Sequence, residues 1–288
     1  MDISNAVSSV QYTKDGITYK RTYFLSNPDN VLVAKFTNDS ANGKDYIITF
    51  ESPLHTMTSA DQNYYVIDGE CPVRIDVDNH DYTPENFYQY DKHEKGICFR
   101  GIVKVFDDSA DIYYLDDKIV INNSKSLVLY FTAETSFNGY DRHPSLDGKP
   151  YKDKCFEAID NAASKGYEHL LDAHIKDYKK YYDRVSIDLC GKEVSAVETD
   201  VRLRNFQTDQ SDLNLYALLF NYGRYLTISA SRENTQPMNL QGIWNDKAVP
   251  PWNSNYTVNI NTQMNYWPTL ICDLAELNQP LIDFVRDI

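Results

Sequence analysis

The chain has 288 residues, enough for roughly two domains, and its 42% hydrophobic content lets it bury a sizeable core rather than stay disordered. A formal charge of −14 argues against nucleic acid, whose phosphates need clustered Lys and Arg, and disfavours anionic membranes and acidic polysaccharides, while a neutral sugar remains compatible. The five scattered cysteines show no CxxC spacing, so neither a disulfide framework nor a zinc site is expected, and no run approaches the ~18 apolar residues of a membrane span.

Met1–Val10 lacks the basic and apolar regions of a signal peptide, which places the protein in the cytoplasm if Met1 is its true start. Residues 1 to about 135 are expected to be β. Val10 to Ser26 alternates and is broken by Asp15-Gly16, a hairpin signal because both residues tolerate positive φ. Val31 to Phe36, Tyr46 to Phe50, Ile97 to Phe106, Ile119 to Ile121 and Leu127 to Thr132 are further strands. Turn clusters at Asp107-Asp108-Ser109 and Asn122-Asn123-Ser124 separate them, and many short strands of this kind suggest a sandwich.

After Pro144 the period changes. Leu171, Ile175, Tyr178, Tyr182 and Val185 recur at three- and four-residue spacing, which predicts helix over 153–183 with a break near Gly166, then a short strand at Val185 to Leu189. Asp212 to Ala230 is a second helix with Ser211 or Asp212 as its N-cap. Its apolar residues surround nearly the whole circumference, so burial is expected. Residues 231–262 form a long polar and aromatic loop, Asn261 to Leu270 starts another helix, and Pro280 suits the first turn of one running to Ile288.

Several signals carry no function. Asp76-Val77-Asp78-Asn79-His80-Asp81 has the look of a calcium loop but lacks the required Gly and the distal Glu. His169 and His174 lie five apart and do not share a helix face for a metal, and His143 precedes Pro144 at a turn. No phosphate-binding Gly motif or nucleophile elbow occurs, and neither cofactor nor metal is expected.

The informative stretch is Ser231 to Pro268, which concentrates all three tryptophans with many amides. Aromatic faces stack on sugar rings and amides bond hydroxyls without adding charge, a combination suited to a neutral carbohydrate; the alternative is a packed loop stapled by its own Trp and Asn side chains. Asn259 and Asn261 form an N-x-N pair. In an extended backbone they would face the same side and could hold one water between their amides. An amide orients water but cannot take its proton, so a carboxylate must act from elsewhere. Glu233 and Asp246 are nearby, and both read as loop caps or solvated charges.

The run WNDKAVPPWNSNYTVNINTQMNYWP closely resembles glycoside hydrolase family 95, as do NLQGIWN before it, LLFNYGRYLTISASR at 218–232 and LRNFQTDQSDL at 203–213. ETSFNGYDRHP at 134–144 and YKRTYFLSNPDNVLVAKF at 19–36 are similar to that family's N-terminal β-domain. The resemblance implies a multidomain fragment truncated at both ends: a partial β-sandwich at 1–140, a helical linker at 141–195, and the first helices of an (α/α)₆ barrel at 196–288. It implies an inverting exo-glycosidase acting on fucosylated or L-galactosylated oligosaccharides. Asn259 and Asn261 would hold the attacking water, with Trp252, Trp244, Gln241 and Thr257 contacting the sugar. A downstream Asp would activate the water and a downstream Glu would be the general acid, so the chain alone would be inactive. A bulky His often stands at the place of Thr257 and crowds C6. The smaller Thr, extended and on the side of Asn259, would admit L-galactose. The alternatives are a non-catalytic carbohydrate-binding protein or an inert gene remnant.

Overall fold

A computed structural model of the protein describes residues 1–76, 83–191, 196–247 and 249–288. Asp78 to Asp81 of the calcium-like run lie outside them. The strands are β1 (Ser8–Lys14), β2 (Ile17–Ser26), β3 (Val31–Asn38), β4 (Lys44–Ile48), β5 (His55–Asp61), β6 (Tyr64–Glu70), β7 (Arg74–Ile75), β8 (Tyr88–Gln89), β9 (Cys98–Phe106), β10 (Asp111–Leu115), β11 (Lys118–Ser124) and β12 (Ser126–Thr135). The helices are α1 (Pro84–Phe87), α2 (Tyr151–Lys165), α3 (Tyr167–Tyr182), α4 (Thr199–Phe206), α5 (Asn214–Ala230), α6 (Asn261–Tyr266), α7 (Pro268–Ile271) and α8 (Gln279–Asp287). By packing, the chain divides within α3, between Asp177 and Tyr178, with residues 3–6 joining the second unit.

In the first unit, seven antiparallel strands run in the order β1-β2-β3-β12-β9-β6-β5, and a smaller sheet runs β10-β11-β4. Period-two alternation splits the large sheet's side chains between two cores. Val103, Val105 and Leu127 meet Ile119 and Ile121 of the small sheet, while Ile102, Val128 and Tyr130 meet the helices. The β1–β2 hairpin turns at Asp15-Gly16, where φ is +52° and +73°, as a two-residue turn with both centres left-handed requires. On α2, Cys155, Ile159 and Ala162 recur at helical spacing and are fully buried against the large sheet. Gly166, at φ +74°, ends α2 and lets the chain re-enter helix, so Leu170 reaches the same core and His174 stacks on Phe24 at 5.1 Å. Within the 141–195 stretch expected as a helical linker, α2 and the first part of α3 pack into the β-domain core. The sheet-rich region followed by helices matches the fold expectation at that level.

The second unit is helical. Its core joins Tyr178, Ile228, Cys272, Leu274 and Leu277. Two arginines organise it. Arg224 of α5, 3% exposed, donates to the carbonyls of Tyr181, Tyr182 and Val185 at 2.9–3.0 Å. It thereby caps the end of α3, whose last carbonyls have no helical partner. The expected strand at Val185 to Leu189 is absent: that backbone is irregular, and its first carbonyl is taken by a guanidinium rather than by a neighbouring strand. Arg184 grips Glu276 through two bonds of 2.9 Å and also reaches the Asp273 carbonyl. At the start of α5, Asp212 accepts two bonds from Arg202 of α4 and the N–H groups of Asn214 and Leu215. The helix is only half buried. Leu215, Arg224, Thr227, Ile228 and Ala230 pack inward, while Tyr216, Leu219, Tyr222 and Leu226 are exposed, so all-round burial is not found.

The Arg184 guanidinium holds the Glu276 carboxyl down at about 2 from the usual 4.5. A group with a lowered folded-state pKa stabilises the fold above its unfolded value and loses that contribution as pH falls through the folded one. About half the Glu276 side chain is open to water, so the pair is worth only ~0.5–1 kcal/mol. Glu276→Gln should cost that amount at pH 6–7 in urea titrations, and the difference from wild type should vanish between pH 4.5 and 2.

Candidate functional site

The segment 231–268 was expected to hold the site, and it lies wholly in the second unit. It starts where α5 ends, at the fully buried Ser231. Met238 is buried, and its N–H donates to the Tyr266 hydroxyl at 2.9 Å. Asn239 and Gly242 then exchange backbone bonds of 2.8 and 3.0 Å, closing a tight turn over Leu240-Gln241. Gly242, at φ +71°, suits its glycine. Gln241 donates its backbone N–H to the Asn239 side chain and its Nε2 to the Pro251 carbonyl, while its Oε1 is buried without a partner among the described residues. Leu240 N–H reaches the Asn255 carbonyl at 3.3 Å, which joins this turn to the next.

That next turn, Pro251–Ser254, is left-handed, with φ of +57°, +53° and +51° at Trp252, Asn253 and Ser254. Three successive non-glycine residues in this region are unfavourable locally, so surrounding contacts must impose the conformation. Trp252 is 78% exposed and Trp244 is 52% exposed, so both indoles are open to a ligand.

The segment leading into α6 departs from the expected geometry. Thr257 has φ +50°, Val258 to Ile260 form a turn, and Asn261 opens the helix. The chain is therefore not extended there, and the alternation that would put Thr257, Asn259 and Asn261 on one side does not apply. The cause is local. The Thr262 hydroxyl donates to the Tyr256 carbonyl, Thr262 N–H reaches the Thr257 carbonyl, and Gln263 Nε2 donates to the Val258 carbonyl. Side chains and amides of the first turn of α6 thus fold the preceding residues back, as helix-start side chains do in place of a strand ladder. The space argument for L-galactose at Thr257 loses its geometric premise. Asn259 is exposed and Asn261 half-buried, and neither amide side chain hydrogen-bonds another described residue. Both keep their full donor and acceptor capacity.

Sequence reasoning missed how the segment is held. Asn265, one turn after Asn261 on the same face of α6, donates to the Asn239 carbonyl at 2.8 Å. The Asn261/Asn265 spacing of four was the available signal for a polar helix face. The phenol of Tyr266 and the Ser231 hydroxyl had no such signal, since their partners, each other and the backbone groups of Met238 and Leu277, lie far along the chain. Two carboxylates of the unit, Asp212 and Glu276, do not resemble a general acid, which needs a raised pKa. Asp212 and Glu276 are each pulled below the usual range, chiefly by the hydrogen bond from an arginine, and Glu233 and Asp246 are exposed.

Residues 166–288 match the model of the glycosyl hydrolase family 95 catalytic domain, and residues 1–140 match that of the glycosyl hydrolase family 65 N-terminal domain. The chain is 35% identical to alpha-L-fucosidase 2 of Arabidopsis thaliana, an alignment that covers 99% of this chain and 35% of that protein. It is 29% identical to the probable alpha-fucosidase A of Aspergillus niger, covering 100% of this chain and 35% of the relative. With the probable alpha-fucosidase A of Aspergillus oryzae the identity is 32%, over 59% of this chain and 25% of the relative. The chain thus spans about a third or less of the length of these relatives.

The fold-back into α6 rests on the buried Thr262 hydroxyl. Thr262→Val keeps the shape and removes the hydroxyl that donates to the Tyr256 carbonyl. We expect a loss of about 1–3 kcal/mol in urea unfolding, whereas Thr257→Val, which leaves the backbone bonds intact, should cost far less.

Proposed function

From a chain that belongs to glycoside hydrolase family 95, we propose that the working protein is an inverting exo-glycosidase removing terminal α-L-fucosyl or α-L-galactosyl residues from oligosaccharides. The supporting observation is the pair Asn259 and Asn261, two uncommitted amides at the start of α6 in a segment that also carries the exposed Trp244 and Trp252. In this reading the indoles and Gln241 receive the sugar, and Thr257 lies at the bend between them and the amides.

Inversion is a single displacement. One carboxylic acid protonates the departing oxygen while a base on the opposite face activates water, with the carboxyls roughly 6.5–9.5 Å apart to leave room for it. The amides supply the part of this that needs no basicity. An amide oxygen accepts a proton of the water and an amide N–H₂ donates to its oxygen, so two of them fix the water's position and aim its lone pair at the anomeric carbon. They cannot remove its proton. The low-lying Asp212 and Glu276 are committed to arginines and unfit to give a proton to the leaving group. This chain accordingly carries the sugar and water sites, opens the helical barrel, and leaves acid and base to other parts of the working enzyme.

The test uses p-nitrophenyl α-L-fucoside. The 288-residue chain should not turn it over, and in the complete gene product Asn259→Ala and Asn261→Ala should each lower kcat by roughly 10² with little change in KM. Turnover by the chain itself at ordinary rates of ~1–10³ s⁻¹, or Ala variants with undiminished kcat, would sink the reading.

A further inference from the structure

Ser231 closes α5 with its hydroxyl fully buried. Two oxygens lie within reach, the Leu277 carbonyl at 2.9 Å and the Tyr266 phenol at 2.8 Å. A carbonyl can only accept, so the single Ser231 proton goes to Leu277. Tyr266 must then give its own proton to Ser231, and its oxygen accepts from Met238 N–H at 2.9 Å. The direction of every bond is settled: Met238 N–H to Tyr266, Tyr266 to Ser231, Ser231 to Leu277. All four groups are satisfied where no water reaches them, and burial raises the phenol's pKa, which keeps its proton in place.

The residue before Tyr266 adds a second tie, from Asn265 to the Asn239 carbonyl. Met238 and Asn239 are consecutive, and so are Asn265 and Tyr266. The loop is therefore clamped to α6 at two adjacent points, which fixes its direction as well as its position. From the clamp the loop runs directly into the Asn239–Gly242 turn that holds Gln241, and through Leu240 and Asn255 it reaches the turn bearing Trp252. Asn261 stands at the other end of the same short helix. One helix thus carries a water-orienting amide at its start and the anchor of the sugar-facing loop at its end.

We propose that Tyr266 is a positioning residue, whose phenol sets the Gln241–Trp244 segment relative to Asn261 and so fixes the bound sugar against the attacking water. The catalytic meaning rests on the glycosidase reading. The clamp itself does not.

Tyr266→Phe keeps the ring and removes the oxygen, leaving the Met238 N–H without an acceptor. Hydrogen exchange of the 238–244 segment in this chain should quicken at least ~10-fold, as local opening predicts, with the β-sheets unchanged. In the complete gene product, kcat for p-nitrophenyl α-L-fucoside should fall roughly 10–100-fold while KM stays within about threefold, because misplacement by about an ångström acts on the reacting geometry and not on ground-state binding. Tyr178→Phe is the control. It deletes another buried phenol bond of the same unit, to the Ile3 carbonyl at 2.8 Å, remote in sequence from the loop, and should lower thermal stability without moving kcat or the 238–244 exchange. Asn265→Ala cuts the second tie without touching the phenol, and should move both readouts in the direction of Tyr266→Phe. Unchanged exchange in Tyr266→Phe, or unchanged kcat despite faster exchange, overturns the proposal. If the wild-type gene product does not cleave the fucoside, the glycosidase reading falls, and the exchange result alone decides whether Tyr266 positions the loop.

Discussion

A buried polar group must be paired, and in the helical unit this constraint decides where the 231–268 segment lies. Met238, Tyr266, Ser231 and Leu277 come from four separate stretches of chain, and none offers its neighbour a choice of partner. The same requirement acts at the end of α3, where Arg224 collects three carbonyls, and ahead of α6, where Thr262 and Gln263 collect the carbonyls of Tyr256, Thr257 and Val258. Apolar packing builds the body of this unit, but the irregular segments take their course from side chains that must find acceptors.

This explains which features were legible in the sequence. The β1–β2 hairpin could be read because the Asp15-Gly16 turn and the alternation around it are local properties. So could β3, β9 and β12, whose alternation reflects two cores on opposite faces of one sheet. The β5–β6 hairpin was passed over because β5, His55–Asp61, alternates among small polar residues and shows no apolar face. The two errors of backbone, a strand at Val185 to Leu189 and an extended Asn259–Asn261 pair, share one origin. In each, side chains distant in sequence or at the helix start capture carbonyls that a strand ladder would have used. Periodicity cannot report such partners.

For the segment 231–268 the sequence speaks to chemistry more than to geometry. A density of amides and indoles between 231 and 268, in a chain of net charge −14, suits a neutral sugar or a packed loop, and the family model matched over 166–288 is that of a glycosyl hydrolase. The order of the pieces was not visible. Asn259 and Asn261 sit at a helix entry rather than along a strand, with the exposed amide in the turn and the half-buried one on the helix.

The central claim is that these amides hold a water for direct displacement, which requires inversion at the anomeric carbon. The stereochemistry of the first product is the most direct measure of it. With an α-L-fucoside and the complete gene product, proton NMR in the first minutes should show β-L-fucose ahead of mutarotation. Initial release of α-L-fucose would mean a double displacement through a covalent intermediate, and would contradict any account in which Asn259 and Asn261 position the attacking water.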